Sequence, residues 1–427
     1  MREMKDSGIE WVGAIPQDWQ LSKIGSLYTQ RNEKVSDKDY QPLSVTMQGI
    51  LPQLATAAKT DDGDNRKLVR VGDFAINSRS DRRGSCGISP LDGSVSLINI
   101  ILTPRTAMHP GYYNWLFHTT LFADEFYKWG HGIVADLWTT RWQEMKSITV
   151  PVPEYAEQER IAAFLDAECA VIDAVLEKTR ASIEEYKKLK QAIITQAVTK
   201  GIRGDRPMKD SGIEWIGDIP AEWSVVRQKY FWNTIESGVS VNAADKPVDN
   251  SEQYGVLKTS AVSKFMFIPT EHKQVNLEEY GRVSCPVRAD SIIASRMNTP
   301  ELVGACGYVQ NNYPNLFLPD RLWQITFKDE LSPKYAWYYL SGIRVRQYIS
   351  SLSTGTSSSM QNISQSQYGN IFITIPSIGE QSEIAKYLDE KCNSVDALIA
   401  KKQQYLTEIE NYKKSLIYEY VTGKREA

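Results

Sequence analysis

The residues best suited to binding chemistry lie in one basic, polar loop of this 427-residue sequence. Residues 66–83 hold six basic side chains against two acidic ones, and the segment 77–85 follows a predicted strand. Arginines there suit phosphate or guanine, and Asn and Ser suit base edges. The candidates are Lys67, Arg70, Asn77, Ser78, Arg79, Arg82 and Arg83. The alternative is an ordinary solvated surface loop.

A weaker counterpart of this loop occurs in the second half of the chain, at residues 294–299. It contributes the candidates Ser295, Arg296 and Asn298. Only one arginine remains in it, as expected if the two halves bind different sequences.

A second pair of candidate loops is matched at an offset of 223, at residues 129–132 and 352–355. The later loop continues into 356–362, which is rich in small hydrogen-bonding groups, and small residues let the backbone approach phosphates closely. A flexible connector is the alternative. The candidates here are Gly130, His131 and Arg141 in the first half, and Thr354, Gly355, Thr356, Ser357 and Gln361 in the second.

Catalytic and metal-binding motifs are missing from the sequence. It has no phosphate-cradling glycine loop, no Gly-x-Ser-x-Gly elbow and no Asn/Asp-Pro-Pro-aromatic segment of the adenine methyltransferase kind. None of the five cysteines forms a Cys-x-x-Cys pair, and the four histidines are scattered. We therefore expect no catalytic residue, no metal and no bound cofactor in this chain.

Composition is that of an ordinary globular protein, with 42% hydrophobic and 24% charged residues. The net charge of −3 argues against nucleic-acid binding only as an average, because local basic patches can be hidden in it. No apolar run approaches the ~20 residues that span a bilayer, and the first residues lack an apolar signal core. These features predict a cytoplasmic protein without a membrane segment.

The chain is an internal duplication. Residues 4–19 and 208–223 are identical at twelve of sixteen positions, at an offset of 204. Residues from Glu157 and from Glu380 match again, at an offset of 223. The segments between, 20–155 and 224–378, barely align, and we call them the first and second bodies. Two copies have therefore kept a shared frame while their bodies diverged.

Each copy ends in a predicted long amphipathic helix. Apolar residues recur at steps of three and four from Ile161 and from Ile384, interrupted by Lys190 and Lys402. About 40 residues at ~1.5 Å each give roughly 60 Å, more than one small domain buries. We predict that the two helices pack on each other, antiparallel, as a spacer; the alternative is two independent helices.

The bodies are predicted to be mixed α/β. Residues 69–76 and 289–294 resemble turns between short strands, 112–126 and 335–349 look helical, and closing strands lead to Pro153 and Pro376. The predicted fold class is thus α/β (α+β), with two globular domains in tandem duplication separated by two long helices packed as an antiparallel coiled coil. The predicted boundaries are 1–155 for the first domain, 156–201 for the first helix, 202–378 for the second domain with a linker at 202–207, and 379–427 for the second helix.

The repeated motifs resemble a known family. Ser-Gly-Ile-Glu-Trp-x-Gly-x-Ile-Pro-x-x-Trp, at 7–19 and 211–223, resembles the opening of the target-recognition domains of type I restriction–modification DNA specificity subunits. Pro-x-x-x-Glu-Gln-x-x-Ile-Ala-x-Phe/Tyr-Leu-Asp, at 153–166 and 376–389, resembles the start of their conserved helices. The resemblance covers essentially the whole chain, in order and in duplicate. Gly423-Lys424 departs from it by inverting the order of Lys200-Gly201.

This resemblance implies a non-catalytic subunit that binds double-stranded DNA. Each domain would bind one half of an asymmetric, bipartite site, while two modification (methyltransferase) subunits and the restriction (endonuclease) subunits would supply the chemistry. S-adenosylmethionine, ATP and Mg²⁺ would then belong to those partners. Candidate contacts for the modification subunits are residues expected on exposed helix faces, namely Gln158, Glu159, Glu184 and Lys188.

Two other functions are compatible with parts of the pattern. A coiled-coil scaffold carrying two protein-binding domains would show the same helices, and the basic, Asn- and Ser-rich loops favour DNA over it. A free-standing methyltransferase is disfavoured by the missing catalytic motif.

Overall fold

In the computed structural model the chain divides into two units. The structure describes residues 2–53, 62–105, 107–132, 138–250, 252–357 and 360–427. Unit 1 is Met1–Ala181 together with Gln403–Ala427, and unit 2 is Ser182–Lys402. Each unit contains one copy of the opening motif, one body and part of both long helices.

The opening motif forms the same antiparallel hairpin in both units. Met4 lies opposite Pro16 in the first hairpin, and Met208 lies opposite Pro220 in the second. The residues that follow form a two-stranded pair with the end of the body. The strands of this repeated frame are Met4–Asp6, Ala14–Pro16, Gln20–Lys23 and Thr149–Val152 in unit 1, and Met208–Asp210, Asp218–Pro220, Ser224–Arg227 and Phe372–Ile375 in unit 2.

A four-stranded antiparallel sheet forms the centre of each body, with the same strand order in both. The strands, in spatial order, are Cys86–Ile88, Phe74–Asn77, Asn99–Pro104 and Tyr28–Arg31 in unit 1, and Cys306–Val309, Ser291–Ser295, Leu322–Phe327 and Trp232–Ser237 in unit 2. The two inner strands are almost wholly buried because helices and a further sheet pack on their two faces.

The bodies differ in the smaller sheets around this centre. Unit 1 adds a three-stranded sheet of Gly93–Val95, Arg66–Val69 and Lys34–Val35, and a hairpin of Leu43–Thr46 and Gly49–Pro52. Unit 2 adds a five-stranded sheet of Ala243–Ala244, His272–Val275, Gly255–Leu257, Tyr313–Phe317 and Pro286–Val287, and a three-stranded sheet of Met297–Asn298, Met360–Asn362 and Thr354–Ser357. The predicted mixed α/β class is confirmed.

The turns predicted from 69–76 and 289–294 are present in both bodies. Gly72, with a φ of 86°, turns the chain between two strands in unit 1. Asp290, with a φ of 50°, takes the same place in unit 2, where the Tyr308 hydroxyl donates to its carboxylate at 2.6 Å. Asp tolerates the left-handed region better than most residues, and here a side-chain hydrogen bond holds it.

Each helical stretch predicted in the bodies is in fact two helices. The break falls at Thr119, whose hydroxyl accepts from the Phe122 amide at 3.2 Å, and at Gly342 in unit 2. An N-capping hydroxyl starts a new helix within an unbroken apolar pattern, which periodicity alone does not reveal. The short helices are Ile24–Leu27, Pro110–Phe117, Thr120–Lys128 and Trp142–Met145 in unit 1, and Pro333–Ser341, Ile343–Leu352 and Gln365–Gly369 in unit 2.

The long helices run over Tyr155–Lys200 and Ile378–Val421. We call them the first and second long helix. In unit 1, Asp173 of the first helix binds Lys413 of the second at 2.6 Å, and the Phe164 and Tyr420 rings stack with centroids 4.3 Å apart. Early residues of one helix meet late residues of the other, so the segments are antiparallel.

Unit 2 shows the same packing around the two lysines that interrupt the apolar pattern. Lys190 forms an ion pair with Asp396 at 2.6 Å, and Lys402 lies over the Tyr186 ring, 5.8 Å from its centroid. Both lysines are therefore satisfied by the facing helix. Antiparallel packing of the helices is confirmed, and the alternative of two independent helices is wrong.

An indole–carboxylate hydrogen bond fixes each body on the start of a long helix. The Trp19 indole N–H donates to Glu157 at 2.9 Å, and the Trp223 indole N–H donates to Glu380 at 3.0 Å. Both indoles are 1% exposed. A buried indole N–H without an acceptor is costly, so the helix start is the partner that each opening motif requires.

The end of the other long helix completes each core. In unit 1 the Tyr112 hydroxyl donates to the Val421 carbonyl at 2.8 Å, and in unit 2 the Tyr335 hydroxyl donates to the Val198 carbonyl at 3.3 Å. Leu416 and Tyr420 belong to the apolar core of unit 1. Each unit is thus built from the start of one long helix and the end of the other.

The five cysteines are all buried and unbridged. Burial raises the pKa of the Cys169 and Cys392 thiols to about 11, which disfavours the reactive thiolate. Cys86 and Cys306 occupy matching positions of the central sheets, as the repeat predicts for core residues. No helix in the described part of the chain is long and apolar enough to cross a membrane.

Replacing Glu157 by Ala is expected to destabilise unit 1. The substitution leaves the buried Trp19 N–H without its acceptor and removes the ion pair with Arg2, at a cost of about 1–3 kcal/mol in the free energy of unfolding. Urea unfolding followed by tryptophan fluorescence measures it. Glu159→Ala is the matched control, because Glu159 is exposed on the same helix turn. Equal stability of the two variants would contradict the role given to Glu157.

Replacing Gly423 by Ala is expected to lower the melting temperature. Gly423 has a φ of 70°, and a Cβ there would lie 2.5 Å from the Pro16 ring and 2.9 Å from the Trp19 ring. The left-handed conformation alone costs about 1–2 kcal/mol. Gly204→Ala is the control, since its Cβ would meet open space. If the Gly423→Ala protein had the same melting temperature as the control, this contact would be unimportant for stability.

Candidate nucleic-acid interface

The two loops predicted in the first body lie side by side. Thr139 forms isolated β-bridges with both Arg79 and His131. The Thr140 amide also donates to the Ser78 carbonyl at 3.0 Å. Segments some sixty residues apart in the sequence therefore form one surface at the end of the central sheet.

The two loops of the second body meet in the same way. Asn362 pairs with both Met297 and Thr354, and Asn298 pairs with Gln361. Thr354 and Asn362 correspond to His131 and Thr139 at the offset of 223 found in the sequence. Isolated β-bridges in the first body thus correspond to a small sheet in the second. The same loop arrangement is repeated with different side chains.

Asn77 and Ser78 hold the first loop in place. Asn77 is 6% exposed; its side-chain oxygen accepts from the Arg79 amide at 3.0 Å, and its carbonyl accepts from the Tyr127 hydroxyl at 3.0 Å. Ser78 is 5% exposed and donates to the Ile98 carbonyl. Their predicted contact with DNA stays a prediction, and both polar groups already have partners in the protein.

Lys67 and Arg70 belong to the neighbouring three-stranded sheet and the turn after it. The Lys67 ammonium donates to the Asn99 carbonyl at 2.7 Å, and burial lowers its pKa. Arg70 pairs with Asp92 at 2.8 Å and lies over the Tyr40 ring. Both cations are engaged within the body.

The three loop arginines have acidic neighbours. Arg79 lies 3.2 Å from Asp81, Arg82 lies 3.9 Å from the same carboxylate, and Arg83 pairs with Asp124. Asp124 comes from the helix Thr120–Lys128, some forty residues away in the sequence. In the folded chain these acidic side chains therefore offset part of the positive charge that the sequence concentrates in the loop.

Gly130, His131 and Arg141 border the same surface. A Cβ on Gly130 would lie 2.3 Å from the Trp138 ring, so this close approach requires glycine. The His131 ring is largely exposed, 3.8 Å from Glu144. Arg141 is exposed, and its amide donates to the Glu144 carboxylate at 3.0 Å. The two basic side chains can therefore reach solvent.

Among the candidates of the second body, Ser295 and Asn298 are tied to the loop itself. Ser295 is fully buried and its hydroxyl donates to the Met297 carbonyl at 3.2 Å. The Asn298 side chain accepts from the Thr299 amide at 2.9 Å. Arg296, between them, is half-buried and lines a cavity.

The remaining candidates lie on the two longer strands of the small sheet. Thr354 and Gly355 are exposed, and a Cβ on Gly355 would lie 2.3 Å from the Met360 carbonyl. Gln361 pairs with Asn298. The backbone of Thr356 and Ser357 extends the strand, whereas their side chains, and the next two serines of this loop, lie outside the described residues.

Arg321 and Asn362 were missed by the sequence reasoning. The Arg296 amide donates to the Arg321 carbonyl at 3.0 Å, so Arg321 borders the same loop although it precedes a different strand. Asn362 pairs with both loop strands. The signal available in the sequence was the offset of 223, by which Asn362 corresponds to Thr139 of the first body.

One of the four proposed subunit-contact residues is not on an exposed face. Gln158 is 3% exposed; its amide donates to the Pro153 carbonyl at 2.8 Å, and its oxygen accepts from the His109 amide at 2.9 Å. Gln381 makes the equivalent bonds in unit 2. The expected exposure of Gln158 is wrong, because the start of the helix is covered by the body.

The other three residues are exposed on the first long helix. Glu184 pairs with Lys187 at 2.7 Å, and Lys188 pairs with Glu185 at 2.8 Å. Glu159 lies near the start of the helix. Exposed pairs of this kind contribute little to stability, so these side chains can exchange partners at small cost.

Comparison with known proteins identifies a domain family within this chain. Residues 220–411 match the family described as the type I restriction modification DNA specificity domain. The chain carries a type I DNA specificity domain. The resemblance seen in the repeated motifs is thereby confirmed, and DNA sequence specificity is the role of this domain.

Two relatives align with this chain over nearly its full length. The type I restriction enzyme MjaVIII specificity subunit of Methanocaldococcus jannaschii is 24% identical over 96% of this chain and 93% of its own length. The type I restriction enzyme EcoKI specificity subunit of Escherichia coli K12 is 20% identical over 97% of this chain and 90% of its own length.

Two solved structures have the same fold as this specificity-domain chain. One is a chain from a study of the assembly of the type I R-M system. It covers 96% of the present chain and is itself covered to 99%, with a TM-score of 0.71 and 16% identity. The other is the HsdS subunit from Thermoanaerobacter tengcongensis. The match covers 96% of the present chain and 98% of that subunit, with a TM-score of 0.50 and 17% identity.

Removing the partner of Arg83 is expected to strengthen the salt dependence of DNA binding. Asp124→Asn removes the acid that pairs with Arg83, so that one more cation can neutralise a phosphate. Each added phosphate contact steepens the slope of log K against log salt by about 0.9. Fluorescence anisotropy with a non-specific duplex at several salt concentrations measures the slope. Asp39→Asn, an exposed acid of the same unit, is the control for charge alone. An unchanged slope would show that Arg83 lies off the DNA surface.

Proposed function

We propose that this chain is the non-catalytic DNA specificity subunit of a type I restriction–modification complex. Unit 1 binds one half of an asymmetric, bipartite DNA site and unit 2 binds the other half. The observation that carries this proposal is the repeated pair of loops, which has the same backbone pairing but different side chains in the two bodies. A shared frame with two different surfaces suits a site whose halves differ in sequence.

The partners in this proposal are double-stranded DNA, two modification subunits and the restriction subunits. The duplicated frame supports two modification subunits, since the same hairpin and helix start occur in both copies. The adenine methylation itself requires an extruded base and a cofactor site. S-adenosylmethionine, ATP and Mg²⁺ belong to the partner subunits in this proposal, and this chain supplies the choice of sequence.

The proposal is tested by the methylome of a host that carries this chain with its modification and restriction subunits. Methylated adenines should fall in one bipartite motif that disappears when the gene for this chain is deleted. A methylome without a bipartite motif that depends on this chain would overturn the proposal.

Exchange of a single body gives a sharper test. The Ile24 amide donates to the Ile148 carbonyl at 2.9 Å, and the Gln228 amide donates to the Ile371 carbonyl at 3.0 Å, so the ends of each body meet at the frame. Replacing residues 24–148 by the body of another specificity subunit should change one half of the methylated motif and leave the other half intact. Replacing residues 228–371 should change only the other half. If one exchange altered both halves, the assignment of one half-site to each unit would be wrong.

A further inference from the structure

Unit 2 contains a cavity of about 300 Å³ beside the small sheet formed by its two loops. Its apolar walls include Trp323 and Ile363, which are 2% and 1% exposed. Its polar walls include Arg296, Thr354 and Asn362. Polar side chains thus surround an apolar floor, the usual composition of a site that holds a flat, polar-edged ligand group.

Two residues that line this cavity each hold a buried polar atom without a partner in the described part of the chain. Arg296 Nε and Asn362 Oδ1 are both buried, and no described group hydrogen-bonds to either. Leaving buried polar atoms unpaired is costly, so a native protein rarely does so without a reason. One of these atoms is a donor and the other an acceptor, and both residues line the same cavity.

A third polar residue that lines the cavity already has its partners within the protein. Gln367, also at the cavity, is fully used: its oxygen accepts from the Ser364 amide at 2.9 Å, and its nitrogen donates to the Leu352 carbonyl at 2.8 Å. It closes the cavity as part of a helix cap and is unavailable to a ligand. Arg296 and Asn362, by contrast, each keep one polar atom without a partner among the described residues.

Charge distinguishes this surface from the corresponding loop of unit 1. Arg296 and the adjacent, exposed Arg321 form no ion pair with any residue that the structure describes, whereas Arg82 and Arg83 lie beside acids. The positive charge of these two arginines is therefore not neutralised by an ion pair with a described residue. An anionic polymer would be attracted to it.

We propose that Arg296 and Asn362 read a G·C base pair in the half-site bound by unit 2, an inference that rests on the proposed function. In the major groove guanine offers the acceptors N7 and O6, and cytosine offers the N4 amino donor. Arg296 donates to guanine and Asn362 Oδ1 accepts from cytosine. An A·T pair would place the adenine amino group, a donor, against the Arg296 donor.

The unpaired acceptor separates this assignment from a simple phosphate contact. A phosphodiester has only acceptor oxygens, so it could satisfy Arg296 but would oppose Asn362 Oδ1. A base pair offers both a donor and acceptors at one place. An unpaired donor and an unpaired acceptor on two residues that line one cavity therefore point to bases.

The first test uses the wild-type chain in its complex with the modification subunits, and duplexes carrying its mapped site. Each guanine of the unit 2 half-site is replaced in turn by 7-deazaguanine, which lacks the N7 acceptor. One replacement should weaken binding by about 5- to 100-fold, the range for a base-specific contact. If every replaced duplex bound like the parent, or if the half-site contained no G·C pair, the inference would be overturned.

The second test assigns the effect to the residues. Arg296→Ala should abolish the preference for G·C at that one position, and Asn362→Ala should reduce it there; Arg296→Lys, which keeps the charge, should retain only part of it. Arg227→Ala is the control, because Arg227 is an exposed arginine of the same unit on a frame strand. It should leave the preference at every position unchanged.

Two outcomes separate this inference from the function on which it rests. If Arg296→Ala weakened binding equally on all duplexes, Arg296 would contact a phosphate and the base-pair assignment would be wrong while the proposed function stood. If no bipartite motif depended on the wild-type chain, the proposed function itself would fail. The deazaguanine series needs no variant protein, so a folding defect in a variant leaves the inference falsifiable.

Discussion

A buried indole N–H that must find an acceptor underlies the arrangement of this chain. Trp19 and Trp223 each bring an opening motif to the first turn of a long helix, where Glu157 or Glu380 accepts the hydrogen bond. A carboxylate is favourable at a helix N-terminus because the helix dipole and the unpaired amides there attract negative charge. The same contact therefore starts the helix, orients the hairpin and closes the body.

The frame built on this contact leaves the loops free to vary. Each body leaves and re-enters the frame through two paired strands, so changes between them need not disturb the core. The central sheets repeat strand for strand, while the surrounding sheets and the loop side chains differ. The loops proposed to bind DNA can then diverge at low cost in stability, since loop residues contribute less to the core than frame residues do.

The sequence predicted the parts of the fold that repeat or are periodic. The duplicated motifs gave the frame, and the spacing of apolar residues gave both long helices and their packing. Periodicity did not show the helix break at Thr119, because the capping hydroxyl lies inside a continuous apolar pattern. It also placed Gln158 on an exposed face, although two backbone groups bind its side chain in the interior.

The candidate site was predictable in position more than in chemistry. Both pairs of loops were identified from composition and offset, and they do meet in space. The acidic partners of the loop arginines were not predicted, since Asp124 pairs with Arg83 from a helix that is distant in the sequence. Arg321 and Asn362 became visible only when strand pairing brought them beside Arg296. Which groups remain unpaired is a property of the folded chain.

The sharing of helix ends has a consequence for the order of folding during synthesis. Unit 2 is one continuous stretch, Ser182–Lys402, so all of its core has been made before the last helix turns leave the ribosome. Unit 1 lacks Leu416, Tyr420 and Val421 until then. Domains usually fold in the order in which they are synthesised. Here the unit that is begun first must be completed last, and a nascent chain truncated before residue 403 would hold one finished unit and one unfinished one.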